Sequence, residues 1–193
     1  MKNKGLLVVY AGASGVGKGT IMKKLLAEDP NIRLSVSATT RAPREGEQNG
    51  REYYFVTREE FDRLIAEDGF LEHAEYVGNC YGTPKAPVFK MLDEGLDVFL
   101  EIELKGFLQI KESCPDCLSI FIVPPSFEEL QARLHGRGTE TPEVIAERLK
   151  TAREELSHHH LFDYVVVNDD VDRAAKEVLS IISDRKNAIA IKE

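Results

Sequence analysis

The sequence predicts an α/β fold of three layers, with helices on both faces of a largely parallel central sheet, and three observations carry that prediction. Short apolar runs, "LLVVYA", "DVFLEIE", "LSIFIVPP" and "YVVVND", recur along the chain and read as buried strands. Segments of helical periodicity separate them, the alternation expected of a parallel sheet covered by helices. A glycine-rich stretch, "GASGVGKGT", follows the first run directly. At 193 residues the chain can bury one substantial core carrying small inserted lobes, but it is short for two independent domains.

Capping chemistry marks the helix starts. Thr57 with Glu60, and Ser126 with Glu129, have the spacing at which a side chain satisfies a free backbone N–H, and Pro142 after Thr141 suits a first turn. Gly69 and Gly95 are expected to end two helices. Two regions do not fit the sheet. Ser35 to Lys85 is polar, with turns at "APREGEQNG" and "GNCYGT", and reads as an inserted lobe; about Leu130 to His160 carries Arg133, Arg137, Arg148 and Arg153 around "HGRGTETPE" and reads as a movable helical lid. The expected layout is a single domain with a core of about residues 1–34, 86–128 and 161–193, a lobe of about 35–85 and a lid of about 129–160.

Composition excludes several classes. With 42% apolar and 30% charged residues and no internal repeat, this is an ordinary globular chain rather than a disordered one. A net charge of −8 argues against holding nucleic-acid backbone or an anionic membrane surface, so any anionic ligand must be met by a local cluster. No apolar run approaches the ~20 residues of a membrane span, and the signal-like start "MKNKGLLVVYAGASG" is better read as a buried first strand. Three cysteines suit a reducing, cytoplasmic compartment; Cys114 and Cys117 lack a second pair for zinc and read as loop cysteines. Consecutive His158, His159 and His160 point about 100° apart on a helix and cannot converge on one metal, so they read as imidazoles favourably placed at a helix C-terminus.

In "GASGVGKGT", Gly12, Gly15 and Gly17 allow the tight turning that aims successive N–H groups at phosphate oxygens, the following helix adds its positive end, and Lys18 adds a point charge. Gly19 stands where a metal-binding hydroxyl is commonly found, so a metal depends on Thr20, on waters or on carboxylates elsewhere. The loop resembles those of nucleoside monophosphate kinases. A second anion site is expected in "SVSATTRAPREGEQNGREYYFV", where Arg41 and Arg44 flank a proline turn and Tyr53 offers a further donor.

Following that loop in order, "SVSATTRAPREGE", "FLEHAEYVGNCYGT", "GRGTE" and "VVVND" resemble the guanylate kinases, over about Leu6 to Ile182. The resemblance implies a P-loop NTPase-type fold with an inserted nucleotide-monophosphate-binding lobe and a helical lid. It implies phosphoryl transfer from ATP to GMP, and to dGMP, with Mg²⁺ held through phosphates and waters and no metal site of the protein's own. Gly12, Ala13, Ser14, Gly15, Val16, Gly17, Lys18, Gly19 and Thr20 would bind ATP, with Arg133 at the adenine and Arg137 at the phosphates. Arg41, Arg44, Tyr53 and Tyr81 would bind the GMP phosphate, and Ser37, Glu72, Gly82, Thr83, Glu101 and Glu103 complete the acceptor site. Lys18, Arg41, Arg137 and Arg148 would act on the transferring group, while Arg153 is a surface residue.

The chemistry of Glu72 agrees. Guanine offers adjacent N1–H and NH₂ donors that one carboxylate accepts together, whereas adenine presents a lone pair at N1. Two positions depart from the family pattern. Glu101 and Glu103 replace a pair of aspartates and would face one side of a strand, Glu101 towards Mg²⁺ waters and Glu103 towards guanine; Cys80 replaces an aromatic residue. Two alternatives stay open at this stage: a binding module in which the acceptor cleft takes a peptide, and a kinase of another acceptor such as AMP, a pyrimidine nucleotide or a phosphorylated sugar.

Overall fold

Leu7–Gly12 (β1) is apolar along its length because it is covered on both faces: Val8, Val9 and Tyr10 expose no surface. The computed structural model describes residues 4–136 and 141–191, and the chain divides into two compact units, Val8–Ile32 with Leu118–Glu193 and Met1–Leu7 with Arg33–Cys117.

In the first unit β1 runs parallel to Leu118–Val123 (β8), with Val8 opposite Leu118 and Gly12 opposite Ile122, and β8 runs parallel to Tyr164–Val167 (β9). Lys18–Glu28 (α1) leaves the glycine loop and packs against Val171–Ala190 (α7). The buried side chains of α7, Ala174, Ala175, Val178, Ile181 and Ile182, form the stripe a 3.6-residue period requires. Phe127–Gly136 (α5) and Pro142–Ser157 (α6) carry the helical patterns expected of the lid. Their starts follow the capping reading: Ser126 Oγ accepts from Glu129 N–H at 3.1 Å, and Thr141 accepts from Val144 N–H at 3.5 Å ahead of Pro142. Arg137 lies outside the described residues, as does most of "GRGTE". The three histidines sit where α6 ends, each with Nδ1 2.7 to 2.9 Å from a carbonyl oxygen of that helix, those of Glu154, Leu156 and Ser157.

In the second unit Asp97–Glu101 (β7) lies beside Ile32–Leu34 (β2), with Lys85–Asp93 (α3) before β7 and Leu104–Ser113 (α4) after it. Ala38–Thr39 (β3), Tyr54–Phe55 (β4), Phe70–Tyr76 (β5) and Asn79–Pro84 (β6) form a separate four-stranded sheet in the order β4-β3-β6-β5. Arg58–Ala66 (α2) covers it, starting from the capping box of Thr57 and Glu60. Ala38, Phe61, Phe70 and Cys80 form the small core of this lobe, with Tyr54, Val56 and Leu64 packed around them. The register of β5 against β6 shifts between Phe70 and Glu72. Phe70, Leu71 and Glu72, the three residues at that irregularity, are all buried, Glu72 at 7% exposed.

Two local expectations change. Gly95 does end α3, at φ +85° with Leu96 N–H donating to Met91 C=O, but after α2 the left-handed residue is Asp68 at φ +53°, and Gly69 follows it, donating to Leu64 C=O at 2.7 Å. Gly69 packs closely instead: a Cβ there would lie 3.0 Å from that carbonyl oxygen. The strand reading of "DVFLEIE" also runs too far. β7 stops at Glu101, and Glu103 is the N-cap residue of α4, so a helix start rather than strand alternation sets its direction.

The lobe core is small and Phe61, 1% exposed, stacks on Phe70 at 4.5 Å between centroids. Phe61→Ala is expected to lower the unfolding free energy of the lobe by about 3–5 kcal/mol, measured by urea denaturation with hydrogen exchange following residues 38–84.

Candidate active site

The glycine loop is built by left-handed backbone that only glycine takes without cost. Gly15 and Gly17 have φ +87° and +93°, and Gly17 serves as N-cap of α1 without a side-chain cap. A Cβ on Gly15 would lie 2.8 Å from Leu134 of α5, and one on Gly17 would lie 2.5 Å from Asn168 Nδ2. Lys18 Nζ donates to the carbonyl oxygens of Gly12 at 2.6 Å and Ala13 at 3.4 Å.

Three side chains brace this loop. Asn168, at the end of β9 and 3% exposed, donates from Nδ2 to Val16 C=O at 2.7 Å. Arg148 of α6 donates to Ser14 Oγ at 2.8 Å, and Glu155 of the same helix accepts from Ser14 N–H at 3.1 Å. Arg133 of α5 donates to Asn168 C=O at 3.0 Å and to Glu129 at 3.1 Å. Gly19 and Thr20 are exposed on the first turn of α1, with open space around Gly19. Arg153 is exposed, as expected, and lies over the Phe127 ring at 4.5 Å.

The second unit gathers the other candidates around one cavity, lined among others by Ser37, Tyr53, Glu72, Tyr81, Glu101 and Glu103. Arg41 lies 5.4 Å from the centre of the Tyr53 ring, and Tyr53 meets Tyr81 edge to face at 6.1 Å. Glu47 holds the turn: its carboxylate accepts from Arg41 at 2.9 Å and from Arg44 N–H at 2.7 Å. The guanidinium of Arg41, followed by the Arg44 amide, pulls the Glu47 carboxyl below the usual range. The Arg44 side chain itself is exposed on this turn. Gly82 lines the cavity too, while Thr83 reaches it through Glu72, its hydroxyl donating to Oε1 at 2.6 Å. Burial raises the Glu72 pKa above the ordinary carboxylate value, opposed by the Thr83 hydrogen bonds and reinforced by Glu103.

The guanylate kinase family model matches residues 4–185. The chain belongs to the guanylate kinase family. It is 57% identical over 170 residues to a guanylate kinase of Parasynechococcus marenigrum, covering 88% of this chain and 93% of that one, and 53% identical to one of Lactococcus lactis, covering 94% and 89%. The crystal structure of guanylate kinase from Anaplasma phagocytophilum superposes with a TM-score of 0.73 at 40% identity, covering 95% of this chain and 87% of that one. The fold is therefore the α/β P-loop fold with a mostly parallel central sheet.

Against the guanylate kinase pattern, Cys80 fills a core position beside Phe61 and Phe70 in the lobe, 5% exposed. Sequence reasoning missed Glu47, Asn168 and Glu155. Asn168 had a signal, a polar residue directly after a buried apolar run, but Glu155 sits unmarked in the charged stretch "REELS".

A carboxyl whose folded pKa exceeds its unfolded value contributes stability that is fully present below the unfolded pKa and lost as pH rises through the folded one. Glu72, with its raised pKa, therefore costs stability once ionised. Glu72→Gln is expected to be at least as stable as the unchanged protein at neutral pH, with the gap narrowing on acidification, measured by thermal melts between about pH 5 and about pH 7.5.

Proposed function

We propose that this chain transfers the γ-phosphoryl group of ATP to GMP, and to dGMP, giving ADP and GDP or dGDP. The observation that carries the acceptor assignment is a single cavity pairing a buried carboxylate, Glu72, with Tyr53 and Tyr81, the tyrosines beside Arg41. That pairing suits a guanine base at one end and a phosphate at the other: Glu72 accepts from guanine N1–H and NH₂, with Ser37, Thr83 and Glu103 around the base, and Arg41, Arg44, Tyr53 and Tyr81 take the phosphate. The lobe of about residues 35–85 holds GMP, and about 129–160 closes over ATP.

The donor lies on the loop from Gly12 to Thr20, whose amides and Lys18 meet the triphosphate, with Arg133 at the adenine. The phosphate of GMP is already an ionised nucleophile, so no general base is required. Catalysis is alignment together with offsetting the negative charge spread over the transferred group, by the loop amides, Lys18, Arg137 and Arg148. Mg²⁺ bound with ATP, held through phosphates and waters, would supply further positive charge at the transferring phosphates. The residues present fit that arrangement: the Thr20 hydroxyl, two residues after Lys18 on the first turn of α1, would stand beside such an ion. Cys80, Cys114 and Cys117 form no disulfide, which suits cytoplasmic operation.

A coupled assay offering ATP with GMP, dGMP, AMP, CMP and UMP is expected to show turnover of the guanine nucleotides, with the others lower by at least about a hundredfold. Lys18→Ala is expected to reduce turnover at least about a hundredfold, and full activity in that variant would refute the mechanism.

A further inference from the structure

Gly106 is the third residue of α4, in the first turn of a regular helix where no left-handed backbone calls for glycine. Glycine is, proline aside, the poorest helix former, so its place there needs another reason. The reason is on the facing strand. A Cβ built on Gly106 would lie 2.7 Å from Glu72 Oε2, 3.1 Å from Cδ and 3.3 Å from Cγ. The carboxylate thus rests on the bare Cα of α4 on one side, and on the other its Oε1 accepts the Thr83 hydroxyl at 2.6 Å.

Helix α4 cannot retreat to make room. Phe107 and Ile110 are 1% and 0% exposed, and the side-chain amide of Gln109 binds both backbone groups of His73, the residue next to Glu72. Nε2 donates to His73 C=O at 2.9 Å and Oε1 accepts from His73 N–H at 3.1 Å, so Gln109 closes the open edge of β5. The movable atom in any clash is the end of the Glu72 side chain.

We infer that Gly106 is a specificity-determining position: the absence of a side chain there is what seats the Glu72 carboxylate where it can accept both guanine donors. The inference rests on the reading of Glu72 as the group that recognises the base. A methyl group at 106 leaves the fold intact and shifts the carboxylate within the cavity, so it removes base recognition without touching the phosphate contacts or the ATP loop. Gly106 is a positioning residue, acting only through Glu72.

The test compares Gly106→Ala, Glu72→Gln and the unchanged protein with GMP and IMP, the latter lacking the exocyclic NH₂ group. Gly106→Ala is expected to melt no lower than the unchanged protein, keep its KM for ATP, and lose at least about tenfold in kcat/KM for GMP but much less for IMP, so that the GMP:IMP ratio collapses. Glu72→Gln is expected to collapse the same ratio. If Glu72→Gln does so and Gly106→Ala does not, the role of Gly106 is refuted while the base-reading assignment stands. If Glu72→Gln keeps the ratio, the base-reading assignment itself fails and this inference falls with it. A Gly106→Ala protein that melts lower and loses both nucleotides equally would make the position merely structural, and would also overturn the inference.

Discussion

The acceptor half of this protein is organised around a charge that should not be buried. A carboxylate out of water costs free energy unless hydrogen bonds compensate it, and Glu72 receives one side-chain hydroxyl, from Thr83, while its second oxygen lies against the Cα of Gly106. Burial accordingly drives its pKa up. The architecture around the group is a register irregularity beside it in β5, a glycine in the facing helix, and a glutamine that fixes strand to helix. In the proposed function the stability given up becomes selectivity, because a partly satisfied buried carboxylate is completed best by two adjacent donors.

The glycine loop of the other unit poses a different problem, that of fixing a chain with little side chain to hold it. Left-handed glycines supply the turning, but they do not by themselves hold a loop in place. Asn168 fixes Val16 from below the end of β9, and Arg148 and Glu155 hold the hydroxyl and the amide of Ser14 from α6. Residues predicted to belong to a lid therefore also brace the loop, which links the conformation of α6 to the shape of that loop.

What could be read from the sequence, and what could not, follows a physical division. Local rules showed plainly: apolar runs for strands, Thr57 with Glu60 for a capping box, Thr141 with Pro142 for a helix start, and the loop from Gly12 to Thr20. The paired Arg41 and Arg44 were visible as a turn with unusual chemistry, but their partner Glu47 was not, because one acidic residue in "REGE" looks like any other until the turn closes on it. Asp68 in place of Gly69 as the left-handed residue, and Glu103 as a helix cap rather than a strand residue, are boundary shifts of one or two positions that propensity does not resolve. Glu155 and Gly106 matter only through residues distant in sequence, Ser14 and Glu72, and no spacing rule connects them.

The most direct measurement is a crystal structure of the protein with GMP. The account predicts both Glu72 oxygens within hydrogen-bond distance of guanine N1 and N2, roughly 2.7–3.1 Å, and the nucleotide phosphate on Arg41, Arg44, Tyr53 and Tyr81. A purine ring seated elsewhere, or separated from Glu72 by water, would contradict it.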